Sequence, residues 1–227
     1  MEGDNIDYEG YIIKSIASLS GKYTPYQIFT DWVTLTALAI QNSCDIFKGK
    51  MYRVREEQYC NISQKYTDGE LKTLADMTGA LAIVLENRFG DILGDIYMRS
   101  GCGSKYTGQF FTPYHLSYLT AKLSYENQFS HFGKNDVIEV NEPSTGGGGM
   151  MIALAQIMNE NGIDYQRRLR VVAQDLDWNG VYMTYIQLSL LGVRAIVVQG
   201  DTLCEPYHKG YDERRVFRTP AEMGLLI

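Results

Sequence analysis

The stretch "DVIEVNEPSTGGGGMMIALAQIM", residues 136–158, breaks an apolar run at an acidic residue and a proline, passes through four consecutive glycines, and resumes as an apolar pattern at helical spacing. The short run before the break reads as a strand and the longer one after it as a helix. Glycines at 146–149 strip every Cβ from the turn between them, which suits a place where the backbone must come close to a ligand.

Working outward from that turn, two more short apolar runs follow, "LRVVAQ" (169–174) and "RAIVVQ" (194–199), separated by helical segments at 149–161 and 179–191. Strand, helix, strand, helix, strand is the pattern of a parallel sheet with right-handed crossovers. Before residue 107 the pattern is different. "YQIFTDWVTLTALAIQNSCDIF" and "ELKTLADMTGALAIVLENRFGDILGDIYM" place apolar residues at helical spacing, with Thr24 ahead of Pro25, and Asp68, marking helix starts. The chain therefore divides into a helical region, 1–107, and an α/β core, 108–227. At the boundary, Thr112 and Pro113 suit the cap and first position of a helix over "YHLSYLTAKLSY".

With 227 residues and 45% hydrophobic content, the chain has enough apolar material for an ordinary globular core. Its formal net charge of −6 argues against a chain that holds nucleic acid by itself. The one basic cluster, Lys48, Lys50, Arg53 and Arg55, reads as a solvated face. Cys44, Cys60, Cys102 and Cys204 form no CxxC pair, and His115, His131 and His208 have no ligating spacing, so no metal site is expected. Neither a signal peptide nor an apolar run long enough to span a bilayer is present, which places the chain in reducing cytoplasm, off the membrane.

The flanks of the glycine turn discriminate among nucleotide-type ligands. A phosphate loop needs Gly-Lys-Ser/Thr after the glycines, whereas Met150 and Met151 follow here. A dinucleotide site needs an acid at the end of the second strand, and Asp175 supplies one. Glu142, however, stands at the tip of the first strand, where it would repel a diphosphate and attract a cation. S-adenosylmethionine, with adenosine hydroxyls for Asp175 and sulfonium and amino groups for Glu142, fits both. A side chain at Gly147 is then expected to collide with the ligand.

At this point five motifs in order carry a resemblance. "DILGDIYM" (91–98), "GQFFTP" (108–113), "NEPSTGGGGMMIALA" (141–155), "QDLDWNG" (174–180) and "QGDTL" (199–203) resemble the adenine-N6 DNA methyltransferases, most closely the modification subunits of type I restriction systems and their phage- or plasmid-borne relatives. The resemblance covers roughly residues 88–203. It implies S-adenosylmethionine as cofactor and a Rossmann-like methyltransferase core. It further implies that Phe111, Thr112 and Pro113 pack on the cofactor, that Glu142, Ser144, Thr145 and Gly146 hold its charged end, and that Asp175 and Asp201 take the ribose and the adenine ring.

The match then stops. The family's fourth motif, Asn/Asp-Pro-Pro-Tyr/Phe, accepts hydrogen bonds from the target amine and stacks on the flipped base, but this sequence has no Pro-Pro. "VFRTPAEMG" (216–224) offers one proline without the Asn or the following aromatic. No catalytic residue is assigned. The core is expected to be truncated after the third motif, with a half-size, mainly parallel sheet, an exposed edge and apolar faces left uncovered. Two functions stay open. One is a subunit or partial enzyme of a restriction-modification or mobile-element system, reaching DNA through a partner. The other is a catalytically degenerate interaction or regulatory module. Either is expected to form a homodimer or hetero-complex.

Overall fold

The computed structural model describes residues 6–102, 111–129, 132–133 and 136–225. Six helices come first: α1 (Tyr8–Leu19), α2 (Pro25–Ser43), α3 (Lys50–Ser63), α4 (Asp68–Asn87), α5 (Ile92–Arg99) and α6 (Tyr114–Phe129). The remainder runs β1 (Ile138–Glu142), α7 (Gly149–Glu160), α8 (Tyr165–Arg168), β2 (Leu169–Asp175), α9 (Trp178–Leu190), β3 (Arg194–Gln199) and, after a 3-10 turn, β4 (Val216–Arg218).

Side-chain caps set several helix starts. Thr24 caps α2 in a reciprocal box with Gln27, and Pro25 takes the first helical position as the sequence implies. For α4 the start moves by one residue, because Thr67 and not Asp68 accepts the Glu70 N–H. Asp68 becomes the first helical residue. At α6 the Pro113 carbonyl accepts the Leu116 N–H at 2.9 Å, so Pro113 lies ahead of the first helical residue.

The strands lie in the order β1-β2-β3-β4, the first three parallel and β4 antiparallel to β3. The parallel part was legible; β4 was not, since three residues are too few to show a period. Phe217 within β4 is only 3% exposed. It packs on Tyr185 and Tyr182 at ring-centroid distances of 5.2 and 5.5 Å, so it is not free to stack on a base.

One face of the sheet, with Val171, Ala173, Ala195, Val197 and Phe217, belongs to a hydrophobic core that continues through α7 and α9 to Ile12 and Trp32 in the helical region. The opposite face is not left bare. Val198, Val216 and Tyr211 form a small second cluster there, with Ile196 and Tyr207 beside it. Buried Gln174 fixes the covering segment, donating to the Glu205 carbonyl at 2.9 Å and accepting the Tyr207 N–H at 3.1 Å. Nearer β1 this face is polar, carrying the Glu139–Arg170 ion pair. Among the described residues, β1 and β4 are the outer strands of the sheet, each unpaired on one side. No helix among the described residues is long and apolar enough to cross a membrane.

Candidate functional site

The carboxyl ends of β1, β2 and β3 are stitched together by their own loops. The Thr145 N–H donates to the Gln174 carbonyl of β2 at 3.1 Å, and the Gly200 N–H donates to the Asp175 carbonyl at 2.8 Å. Thr202 Oγ1 bonds the Pro143 carbonyl at 2.8 Å, closing the span from the third strand tip back to the first. Parallel strands put their carboxyl ends at one edge, so Glu142, Asp175 and Asp201 share it, all three half-buried.

The glycine turn needs its glycines for two reasons. Gly146 and Gly148 adopt φ of +55° and +89°, which side-chain-bearing residues rarely take. A Cβ at Gly146 would also stand 3.1 Å from the Phe111 ring, and one at Gly148 would stand 3.1 Å from Thr184 Oγ1. Phe111 is thus against the loop, supported edge-to-face by Tyr97 at 5.2 Å. Thr112 and Pro113 are exposed beside it and form no hydrogen bond to the loop among the described residues. Residues 108–110 of the same motif, and His131, lie outside the described residues. Ser144 is exposed and its N–H donates to Glu142 Oε1 at 3.2 Å, while Thr145 is buried, its hydroxyl 3.1 Å from that of Thr184.

The acids differ in state. Asp175 accepts the Gly146 N–H on one oxygen at 2.7 Å and the Asp177 N–H on the other at 2.9 Å. Burial nonetheless pushes its pKa up, the backbone donors opposing the shift. Asp201 accepts N–H groups from Leu203 and Cys204, which hold its pKa below the ordinary carboxylate value. Leu176, next to Asp175, and Leu203, two residues beyond Asp201, are 68% and 95% exposed. Large apolar side chains at two adjacent strand tips offer a surface for a flat ring.

Behind the loop the structure places residues to which the sequence reading gave no role. Thr184 donates to the Gly146 carbonyl at 3.0 Å, and Gln187 donates to the Gly147 carbonyl at 2.7 Å. Asp91, at the head of "DILGDIYM", is the neighbour that excludes a side chain at Gly147: a Cβ there would lie 2.4 Å from both carboxylate oxygens. The expected collision at Gly147 is therefore with the protein itself. Gly180, Thr184 and Gln187 recur at helical spacing in a mostly apolar α9, and that spacing was a readable signal.

No curated protein matches this chain. Among solved structures, the type I restriction-modification system methyltransferase subunit from Streptococcus thermophilus is similar at 15% identity with a TM-score of 0.45, over 86% of this chain and 43% of that one. The chain thus spans less than half the length of that protein. Residues 88–219, more than half of the chain, match the model of the N-6 DNA methylases, and the chain belongs to that family.

Proposed function

We propose that this chain binds S-adenosylmethionine and forms the cofactor-holding part of an adenine-N6 DNA methyltransferase of a restriction-modification or mobile-element system, acting in the cytoplasm with a partner that supplies the acceptor side and DNA contacts. The observation that carries this is the gathering of Glu142, Asp175 and Asp201 around a glycine turn at one sheet edge. These residues fit the cofactor. Asp175 uses one backbone N–H per oxygen and retains lone pairs for ribose hydroxyls. Asp201, favoured in its charged form, suits an exocyclic amine, and Leu176 and Leu203 suit the adenine faces. Glu142 and the loop at Ser144, Thr145 and Gly146 suit the cationic end, with Phe111, Thr112 and Pro113 along the rim. When bound, the cofactor supplies an electrophilic methyl group.

Titration calorimetry with S-adenosylmethionine tests the reading directly, and no heat at millimolar cofactor would sink it. Asp175→Asn should weaken binding by about 1–3 kcal/mol, the cost of unmaking a charged acceptor.

Adenine N6 is a poor nucleophile, and its reaction needs acceptors for the amine and a platform for the extruded base. The sequence has no Pro-Pro, and Phe217 is buried. Both support a second reading, in which the chain alone transfers no methyl group and serves as an interaction or regulatory module. Pure protein with labelled cofactor and genomic DNA decides between them. N6-methyladenine well above a Glu142→Ala, Asp201→Ala control, with no partner present, would show that the chain is sufficient.

A further inference from the structure

A fourth carboxyl group, buried behind the glycine turn, has no part in the cofactor contacts assigned above. Asp91 is 4% exposed, and its Oδ1 accepts the Gly94 N–H and the Gln187 side-chain amide, each at 2.9 Å. The same Gln187 amide donates to the Gly147 carbonyl at 2.7 Å and accepts the Leu93 N–H at 3.1 Å. Since a Gly147 Cβ would lie 2.4 Å from either oxygen, only glycine backbone stands between this carboxyl and the turn. On the adjoining side, a Gly149 Cβ would lie 3.6 Å from Asp91 Oδ2 and 3.3 Å from Ser117 Oγ. That serine is 1% exposed, and its hydroxyl has no hydrogen-bond partner among the described residues.

The groups that face Asp91 are neutral or acidic. Asp95 adds negative charge from its own helix, α6 brings the Tyr114 phenol, α9 brings the Gln187 amide, and the turn brings backbone alone. Among the described residues no Lys, Arg or His bonds to it. An ionised carboxylate in such a place is costly without a nearby cation. Burial accordingly holds its pKa above the ordinary carboxylate value.

We propose that Asp91 makes the site selective for the charged methyl donor: a sulfonium bound at the turn is balanced by ionisation of Asp91 behind it, and the neutral thioether product, S-adenosylhomocysteine, is not. This rests on the S-adenosylmethionine reading. The balance is simple: the sulfonium brings one positive charge, and the Asp91 proton leaves to solvent. The product lacks that charge, so the proton returns and the product is held less tightly.

Calorimetry on the full chain, with donor and product titrated in two buffers of different ionisation enthalpy, tests this. Donor binding should release a proton that product binding does not. The donor-to-product affinity ratio should rise with pH, by about tenfold in all, as pH climbs above the ordinary carboxylate range. Asp91→Asn keeps the shape of the side chain and should flatten both the ratio and its pH dependence. Equal proton release for the two ligands in the unaltered protein overturns the proposal without any variant. So does a ratio in Asp91→Asn that keeps its size and slope, which would move the effect to another acid such as Asp175. Failure of both ligands to bind is a different result: it removes the cofactor reading itself.

Discussion

Gly147 faces the Asp91 carboxylate so closely that a methyl group there would sit 2.4 Å from either oxygen. Gly147→Ala should destabilise the protein by about 1–3 kcal/mol through overpacking, seen as a lower urea midpoint with no ligand present. Asp91→Ala in the same chain should restore part of that loss. A deficit confined to ligand binding would show instead that the crowding lies on the ligand side. Protonation gives a second prediction. Asp91 and Asp175 have folded-state pKa values raised by burial, so their contribution is fully present below the unfolded carboxylate value, near about 4, and is lost as pH rises through the folded values. Asp201 and Asp212, shifted down, act in the opposite sense, their contribution falling away only in more acidic solution. The melting temperature should therefore decline as pH rises above the ordinary carboxylate range, and less steeply in Asp91→Asn. An equal decline in the variant would rule out Asp91 as a source.

Helix α9 is the spine against which the turn is set. Its polar residues Thr184 and Gln187 project on the side of Gly180, and both hold carbonyls of the glycine turn. Replacing Gln187 by Leu would leave the Leu93 N–H, the Gly147 carbonyl and the Asp91 carboxyl without their shared partner. A loss of about 2–4 kcal/mol in chemical denaturation is expected, and no loss would mean that water takes over the bonds. How much of this was readable depends on the range of each interaction. The strand at 138–142, the glycines after it and the acid at 175 follow one another in a single pattern, because each local choice agrees with the sheet. Asp91 and Gln187 are 96 residues apart, and their contact obeys no period. Strand β4 was missed because pairing with β3 gives it its conformation. Helix α3, which the sequence reading did not mark out, has no buried residue.

At the scale of the molecule, the unpaired edge of β1 and the outer face of α6 stand out. Leu116, Leu119 and Leu123 recur at helical spacing and are 46%, 52% and 75% exposed. An open strand edge and an uncovered apolar stripe both favour association. Light scattering should show mass rising with protein concentration in the micromolar range, and Leu119→Glu with Leu123→Glu should reduce it. A constant monomer mass would argue that neither surface is sticky enough. The sequence foretold an exposed edge but not the cover on the second sheet face, since the pairing of Gln174 with Glu205 and Tyr207 is set by a loop without periodicity. The formal charge of −6 acts against close approach to DNA, so salt should affect any complex with nucleic acid mainly through a partner's cations.

The bond from the Arg218 N–H to Gln41 Oε1, at 2.9 Å, joins residues 177 apart, and Gln41 also reaches Met223. On the ribosome, α2 emerges long before α9 and β4, which meet part of its buried face, have been made. Phe29 and Trp32 meet Tyr97 and Thr78 earlier, but the part of the helix that α9 and β4 cover must wait in the open or in the keeping of a chaperone. Nascent chains halted before residue 178 should bind a hydrophobic dye and resist folding, and those released after residue 218 should not. Final docking of the amino-terminal helices is then a late, non-local step, slower than closure of the neighbouring parallel strands.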